Sequence, residues 1–492
     1  MEALSATLRG IAARGPNGLF IDGRWRASNG DRVVDVIAPH TEERLLRYTE
    51  PSPADVEAAV AAVAAAHHAF DSGPWPQLSP AERGAVLKRI AEQLRARLPE
   101  LAEAWTGQVG ATIGFSRRAS QQAPGLFDYY GDLIASHPFV ESRARANGGL
   151  VHVVQEPVGV VAAITPWNAP LVLLCYKVAA ALAAGCTVVA KPSPETPIDA
   201  YILAECISAA GVPDGVFNLL PGGRDVGEQL IRHPLVDKVS FTGSTQAGRQ
   251  IGVACAQRLA RCGLELGGKS AAIVLEDADL AKVLPSLVPY SMPITGQVCF
   301  SLTRVLVPVQ RRDEILQAYC AALGALKLGD PFAADTGVGP LALGRQLERV
   351  QSYIAKGSAE GARLVVGGGR PAHLPRGFFI EPTVFADVTP DMTIAREEIF
   401  GPVVSFIDYH DEADLLAKAN ASDYGLHGTV YGEDIDRPYR IARRVRSGSH
   451  SINGMWVDID MPFGGFKHSG IGREGGVEGL HAFLETKTVY LS

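Results

Sequence analysis

From about residue 150 onward, short Val-rich runs alternate with helical stretches of about 10–15 residues, and this alternation constrains the chain most. VHVVQEPVGVVAAITP (151–166) holds strand-like runs, a helical stretch continues to Ala184, and Gly185 stops it. The short apolar strand TVVAK (187–191) follows, then a helix after Pro197, the strand GVFNLL (215–220), a Gly222-Gly223 loop and the strand KVSFTG (238–243). Parallel neighbours need a crossover, so strands separated by helices predict a parallel sheet with helices on its faces. The pattern restarts after 263 with SAAIVLE (270–276), TRVLVPV (303–309), ARLVVGG (362–368) and FGPVVSFIDY (400–409). That restart predicts a second α/β lobe. LETKTVYLS (484–492) reads as a terminal strand.

The first hundred residues read as helical after a short opening strand pair. Ser52-Pro53-Ala54-Asp55 and Ser79-Pro80-Ala81-Glu82 each combine a capping Ser, Pro at the first helical position and an acid. Val56, Val60 and Val63 share a stripe over Pro53 to Phe70. Val86, Ile90, Leu94, Leu98 and Leu101 repeat at helical spacing between Ala81 and Trp105. The uncharged stretch from Val178 to Ala190 has 13 residues, too short to span a bilayer, and suits a buried helix running into a strand.

Lys+Arg (46) against Asp+Glu (53) gives a net charge of −7. A nucleic-acid binder usually shows a basic stripe, so no nucleic-acid partner is expected, and no membrane partner either. The 7 Cys include no close-spaced pair, which argues against a disulfide framework and against a zinc site, so no metal is expected. The N-terminus lacks the apolar core of a signal peptide, and the thiol usage fits a reducing compartment, the cytoplasm. Six of the thiols read as packing residues.

The seventh, Cys299, stands in Thr295-Gly296-Gln297-Val298-Cys299. A free thiol is mostly protonated at neutral pH, so a nucleophilic Cys needs an activating environment. Leu264-Glu265-Leu266-Gly267-Gly268-Lys269 places a carboxylate before paired glycines, as if the backbone packs against something flat or turns tightly; a strand end with an exposed Glu is the alternative. In Pro166-Trp167-Asn168-Ala169-Pro170, the Asn168 amide can stabilise an oxyanion or form an ordinary Asx turn. Gly243-Ser244 precedes a helix, a phosphate-binding geometry. Lys191 ends a strand where a cation can reach ribose or phosphate. In Glu397-Glu398-Ile399-Phe400, an acid suits ribose hydroxyls and an aromatic suits a flat ring.

Singly these signals are weak. Together, in this order, they resemble the aldehyde dehydrogenase superfamily. The matching runs are PWN (166–168), KPSxxTP (191–197), FTGST (241–245), LELGGK (264–269), GQVC (296–299), EEIFGPV (397–403) and PFGGFKHSG (462–470). The resemblance covers about Phe20 to Ser492. It implies an α/β fold of two Rossmann-like lobes plus a small β oligomerisation arm. The cofactor lobe would comprise 1–133 and 158–262, the catalytic lobe 263–466, and the arm with its C-terminal return segment 134–157 and 467–492. A homodimer or homotetramer follows, because an unpaired strand edge is a liability.

The implied reaction oxidises an aldehyde to the carboxylic acid with a nicotinamide cofactor and water. Cys299 matches the nucleophile, Asn168 the oxyanion donor and Glu265 the base that activates water. Lys177 and Glu474 match a supporting proton relay. Trp167 and Ser244 match pyrophosphate contacts; Lys191, Glu398 and Phe400 match ribose and nicotinamide contacts, with Ser193, Glu195 and Gly243 beside them. Coenzyme-A-dependent relatives generally lack the carboxylate found at Glu265.

One departure concerns the cofactor. NAD-preferring relatives often carry Glu three residues after the lysine; here that position is Pro194 and the acid is Glu195. NAD is the expected cofactor, with NADP as the alternative. Substrate-tunnel positions give Ala169, Tyr176, Phe300, Met455, Trp456 and Phe463, which favours a medium or bulky apolar or aromatic aldehyde. Asp458 and Asp460 keep an amino- or betaine-type aldehyde as the alternative. No Arg adjoins the nucleophile or the PWN run, and Arg304 is expected to face elsewhere.

Overall fold

The computed structural model describes residues 18–51, 55, 67 and 73–491, and two large sheets organise them. The first runs in the order Arg24–Ala27, Gly18–Ile21, Phe217–Leu219, Thr187–Lys191, Val160–Ile164, Lys238–Thr242, Arg261–Glu265, Gly470–Ile471. Phe217–Leu219 through Arg261–Glu265 are mutually parallel, and the flanking strands are antiparallel. Among the parallel strands, the first along the chain, Val160–Ile164, lies beside the fourth, Lys238–Thr242. Strand order reverses there, which opens a crevice beyond the carboxyl ends of these two strands.

Strand alternation builds the core on both faces. Val161, Ala163, Val188 and Ala190 enter one apolar cluster, while Val160, Ala162, Ile164 and Val189 enter another. This two-sided burial explains why the runs read as continuously apolar. The helix Pro170–Ala184 lies in the first cluster. Pro170 sets its start, and Gly185, at φ 97°, ends it in the left-handed conformation. The predicted capping box is present: Ser79 Oγ accepts from Glu82 N, and Ser79 N donates to the Glu82 carboxylate at 2.7 Å. The helical run from 81 to 105 is two helices, Pro80–Ala96 and Leu98–Val109. Pro99 has no N–H for a continuing ladder, so the first helix ends before it. The helix expected over Pro53 to Phe70 lies almost wholly outside the described residues.

The second sheet runs Arg363–Val366, Thr383–Ala386, Val403–Tyr409, Arg304–Pro308, Ala271–Val274, Gly428–Tyr431, Ser451–Ile452, parallel except at its Arg363–Val366 edge. A three-stranded antiparallel sheet, Val140–Ala144, Leu150–Pro157 and Leu484–Leu491, stands apart. The fold is thus α/β, with two parallel-sheet lobes and a small β arm. The strand Arg261–Glu265 belongs to the first sheet through its last residue, so a division between 262 and 263 would cut it. Among the described residues, no helix is long and apolar enough to cross a membrane.

Candidate active site

The crevice between Val160–Ile164 and Lys238–Thr242 receives the residues that follow both strands. Asn168 is buried; its backbone carbonyl accepts from Trp105 Nε1 at 3.0 Å, and its Nδ2 donates to the Gln297 carbonyl at 2.8 Å. That bond ties the PWN run to the Cys299 loop. Glu265 ends the next strand, in register with Thr242, and its carbonyl accepts from Gly243 N at 3.0 Å.

The Cys299 loop has an unusual backbone. Ile294, Thr295 and Gly296 have φ of 48°, 57° and 75°, and non-Gly residues in that region carry strain. Surrounding bonds hold the loop. Thr295 Oγ1 donates to the Gly339 carbonyl at 2.9 Å, Gln297 Nε2 donates to the Ile294 carbonyl at 2.9 Å, and Gln297 Oε1 accepts from Ala342 N at 3.0 Å. Gly296 is required as well, because a Cβ there would lie 2.2 Å from the Gly401 carbonyl oxygen.

The paired glycines have a similar cause. A Cβ on Gly267 would meet the Glu398 carboxylate at 2.4 Å, and one on Gly268 would meet the Cys299 carbonyl at 2.3 Å. The LELGGK backbone therefore lies pressed between Glu398 and the Cys299 loop.

Glu265 is buried, which removes the exposed-strand-end alternative; its carboxylate has no nitrogen or oxygen donor and interacts with the Cys299 thiol. Burial, reinforced by the neighbouring Glu474, pushes its carboxyl well above the usual range. Cys299 is part-buried and close enough to interact electrostatically with Glu265. Burial, then the Glu265 and Glu398 carboxylates, pushes its thiol well above the ordinary value. Lys177 is fully buried on the helix Pro170–Ala184. Its ammonium donates to Thr242 Oγ1 at 2.6 Å and pairs with Glu474. Glu474 in turn bridges Phe463 through two backbone hydrogen bonds of 2.7 and 2.8 Å.

The other side of the crevice carries the remaining predicted groups. Trp167 and Phe400 meet edge to face, with centroids 5.4 Å apart. Phe400 has φ 63° and is held there by Gln346 Nε2, which donates to its carbonyl at 2.6 Å. Glu398 accepts from Gly268 N at 2.9 Å; burial pushes its carboxyl up to about 7, against that hydrogen bond. Lys191 is buried and donates to the carbonyls of Pro192 and Gly222; desolvation brings its ammonium down to about 8. Burial raises the Glu195 carboxyl, but Ser193 and Arg345 outweigh it and hold the group below its usual range. Ser244 caps the helix Thr245–Gln257 by accepting from Ala247 N at 3.3 Å, and the other N–H groups of that first turn have no partner within the helix.

The aldehyde dehydrogenase family pattern matches residues 25–489. The chain belongs to the aldehyde dehydrogenase family. It is 45% identical over 474 residues to geranial dehydrogenase of Castellaniella defragrans, a match covering 96% of this chain and 98% of that protein. It is 40% identical over 475 residues to betaine aldehyde dehydrogenase of Rhizobium leguminosarum bv. trifolii, covering 96% of each. A crystal structure of a Mycobacterium tuberculosis aldehyde dehydrogenase complexed with NAD+ superposes with a TM-score of 0.94 at 44% identity, over 97% of this chain and 98% of that one. This chain is accordingly an NAD(P)-dependent aldehyde dehydrogenase.

The aldehyde dehydrogenase's predicted substrate residues divide by position. Phe300 and Phe463 meet edge to face at 6.3 Å, one beside Cys299 and the other bridged to Glu474. Ala169 is part-buried; Tyr176 and Met455 are buried, and the Tyr176 hydroxyl has no partner. Asp458 and Asp460 act electrostatically on Tyr176. Trp456 is 67% exposed and lies at the surface. Arg304 turns away as expected, donating to the carbonyls of Lys269, Lys418 and Ala419. Trp105, Gln297, Arg345 and His427 also belong to the surroundings of the site, beyond the residues that the motifs single out. Gln297 lies inside the GQVC run, where the thiol is the conspicuous group. His427 is buried with its ring 6.4 Å from Phe300. All seven thiols are free, but Cys262 and Cys320 are part-buried rather than packed away, because each lies near the rim of its apolar cluster.

Proposed function

We propose that this chain oxidises a medium or bulky apolar aldehyde to its carboxylic acid with NAD, through a thiohemiacetal and a thioester on Cys299. The convergence of Cys299, the buried Glu265 carboxyl and the Asn168 amide carries this reading. Glu265 takes the thiol proton, and the Cys299 thiolate adds to the aldehyde carbon. The new oxyanion is received by Cys299 N–H and by the Asn168 Nδ2 hydrogen not used on Gln297. A bound nicotinamide would supply the hydride acceptor, and Cys299 would then hold the acyl group as a thioester. Glu474 and Lys177 pass that first proton onward, and the freed Glu265 carboxylate takes a proton from one water, whose oxygen attacks the acyl carbon. The carbon–sulfur bond breaks, the carboxylic acid departs, and Glu265 returns its proton to the Cys299 thiolate.

The crevice fits a dinucleotide. Ser244 and Gly243 at a helix N-terminus suit a pyrophosphate, with Trp167 beside them. Lys191, Ser193 and Glu195 suit the adenosine ribose, and Glu398 and Phe400 suit the nicotinamide riboside. The open Ala169 position and the Phe300–Phe463 pair support an apolar substrate, as does the similarity to a geranial dehydrogenase. A second reading, a cationic betaine-type aldehyde, is supported by Asp458 and Asp460 near Tyr176. Cytoplasmic location and a homodimer or homotetramer complete the proposal. Exposed Val140, Leu150, Val489 and Tyr490 on the arm support assembly.

Initial-rate assays of branched aliphatic, aromatic and trimethylammonium aldehydes test the substrate class. The apolar aldehydes should give the higher kcat/KM. A trimethylammonium aldehyde exceeding them would overturn the apolar assignment in favour of the cationic one.

A further inference from the structure

In a doubly wound sheet, the acid that takes the adenosine ribose follows the second strand. Here that strand is Thr187–Lys191, and the carboxylate after it is Glu195. Glu195 is already engaged. Its Oε2 accepts from Ser193 Oγ, and its Oε1 lies 2.5 Å from Arg345 Nη2. Ser193 belongs to the same loop, which Tyr48 fixes by donating to the Pro194 carbonyl at 3.0 Å.

Arg345 comes from the other lobe, in the first turn of the helix Gly344–Ala359. The same helix is pinned to the crevice. Gln346 donates to the Ile399 and Phe400 carbonyls, and Arg349 donates to those of Glu398 and Ile399. The Arg345 stem is therefore fixed beside the ribose edge, while its side chain is 60% exposed, against 23% for Glu195. Lys191 is buried and bound to two carbonyls, whereas Arg345 is an exposed cation paired directly with Glu195.

We propose that Arg345 forms a phosphate-monoester subsite, pairing with Glu195 when the ribose carries a 2′-hydroxyl and turning onto the 2′-phosphate when NADP enters. This rests on the reading that the crevice holds a nicotinamide dinucleotide. Glu195 alone would repel a 2′-phosphate through like charge. A guanidinium has a planar fork of five donors, enough to bond the phosphate in bidentate fashion and keep one contact with Glu195. The chain thereby accepts both cofactors, and the balance is set by this one pair.

Equilibrium titration of NAD and NADP into the wild type, Arg345→Ala and Glu195→Gln tests it. Arg345→Ala should weaken NADP about tenfold, the size of a lost charged hydrogen bond, and leave NAD within about twofold. Glu195→Gln should tighten NADP and weaken NAD. Rising salt should weaken NADP binding to the wild type and do so less in Arg345→Ala. An equal change for both cofactors, or an unchanged NADP affinity in Arg345→Ala, overturns the subsite. A wild type that binds neither dinucleotide overturns the cofactor reading, and the subsite with it.

Discussion

Replacing Gly268 by Ala should disable the enzyme without removing any functional group. The new Cβ would lie 2.3 Å from the Cys299 carbonyl oxygen and 3.2 Å from Leu426 Cβ. A comfortable carbon–oxygen contact is about 3.3–3.6 Å, so relief requires about 1 Å of movement. Leu426 is buried and blocks retreat on its own side. The Cys299 loop is the other partner, and its backbone already holds three consecutive residues at positive φ under several hydrogen bonds. The displacement therefore falls on the Cys299 thiol, the proposed nucleophile, and on the N–H beside it. A misplacement of about 1 Å costs about 10²-fold in rate. The assay is kcat for aldehyde-dependent NADH formation, together with the rate of Cys299 alkylation by iodoacetamide and the melting temperature. Overpacking predicts about 1–3 kcal/mol of lost stability, which a folded enzyme can survive. Gly324→Ala is the control, since nothing lies within 4 Å of its Cβ. A folded Gly268→Ala enzyme with kcat within about twofold of the wild type would refute the packing argument.

Two further outcomes follow from the buried charges. Glu265 is pushed up by burial and by Glu474, so its basic form appears only as pH rises through that raised value. Under deacylation-limited conditions, kcat should therefore climb with pH well above the ordinary carboxylate range; a kcat already flat from pH 5 upward would contradict this. Lys177→Met should leave Glu474 without its cation inside the protein, lowering stability by about 3–5 kcal/mol in chemical denaturation. An unchanged unfolding midpoint would show that the Lys177–Glu474 pair is not structurally important.

What could be read from the sequence was local. The Val-rich runs are legible as parallel strands because both faces of each are covered, and Ser79–Glu82 is legible as a capping box because its bonds span three residues. Pro99 marked a helix break that the regular Leu spacing obscured. The burial of Glu265 could not be read, because it depends on Glu474 and Phe463 returning from the far end of the chain. The link from Asn168 to Gln297 joins residues 129 apart, and Arg345 reaches Glu195 from another lobe. Such contacts leave no periodicity. The glycine pair at 267 and 268 lies between these cases. The motif signalled close packing, but only the fold shows that Glu398 and the Cys299 carbonyl are what it packs against.

Stopped-flow measurement of NADH formation by Glu265→Gln, with aldehyde and NAD in excess, tests whether Cys299 carries the acyl group and Glu265 releases it. The expected result is a first-turnover burst approaching one NADH per active site, followed by a steady rate that is nearly abolished. Full steady-state turnover in that variant would contradict it, and absence of any burst would show that Glu265 is needed before hydride transfer as well.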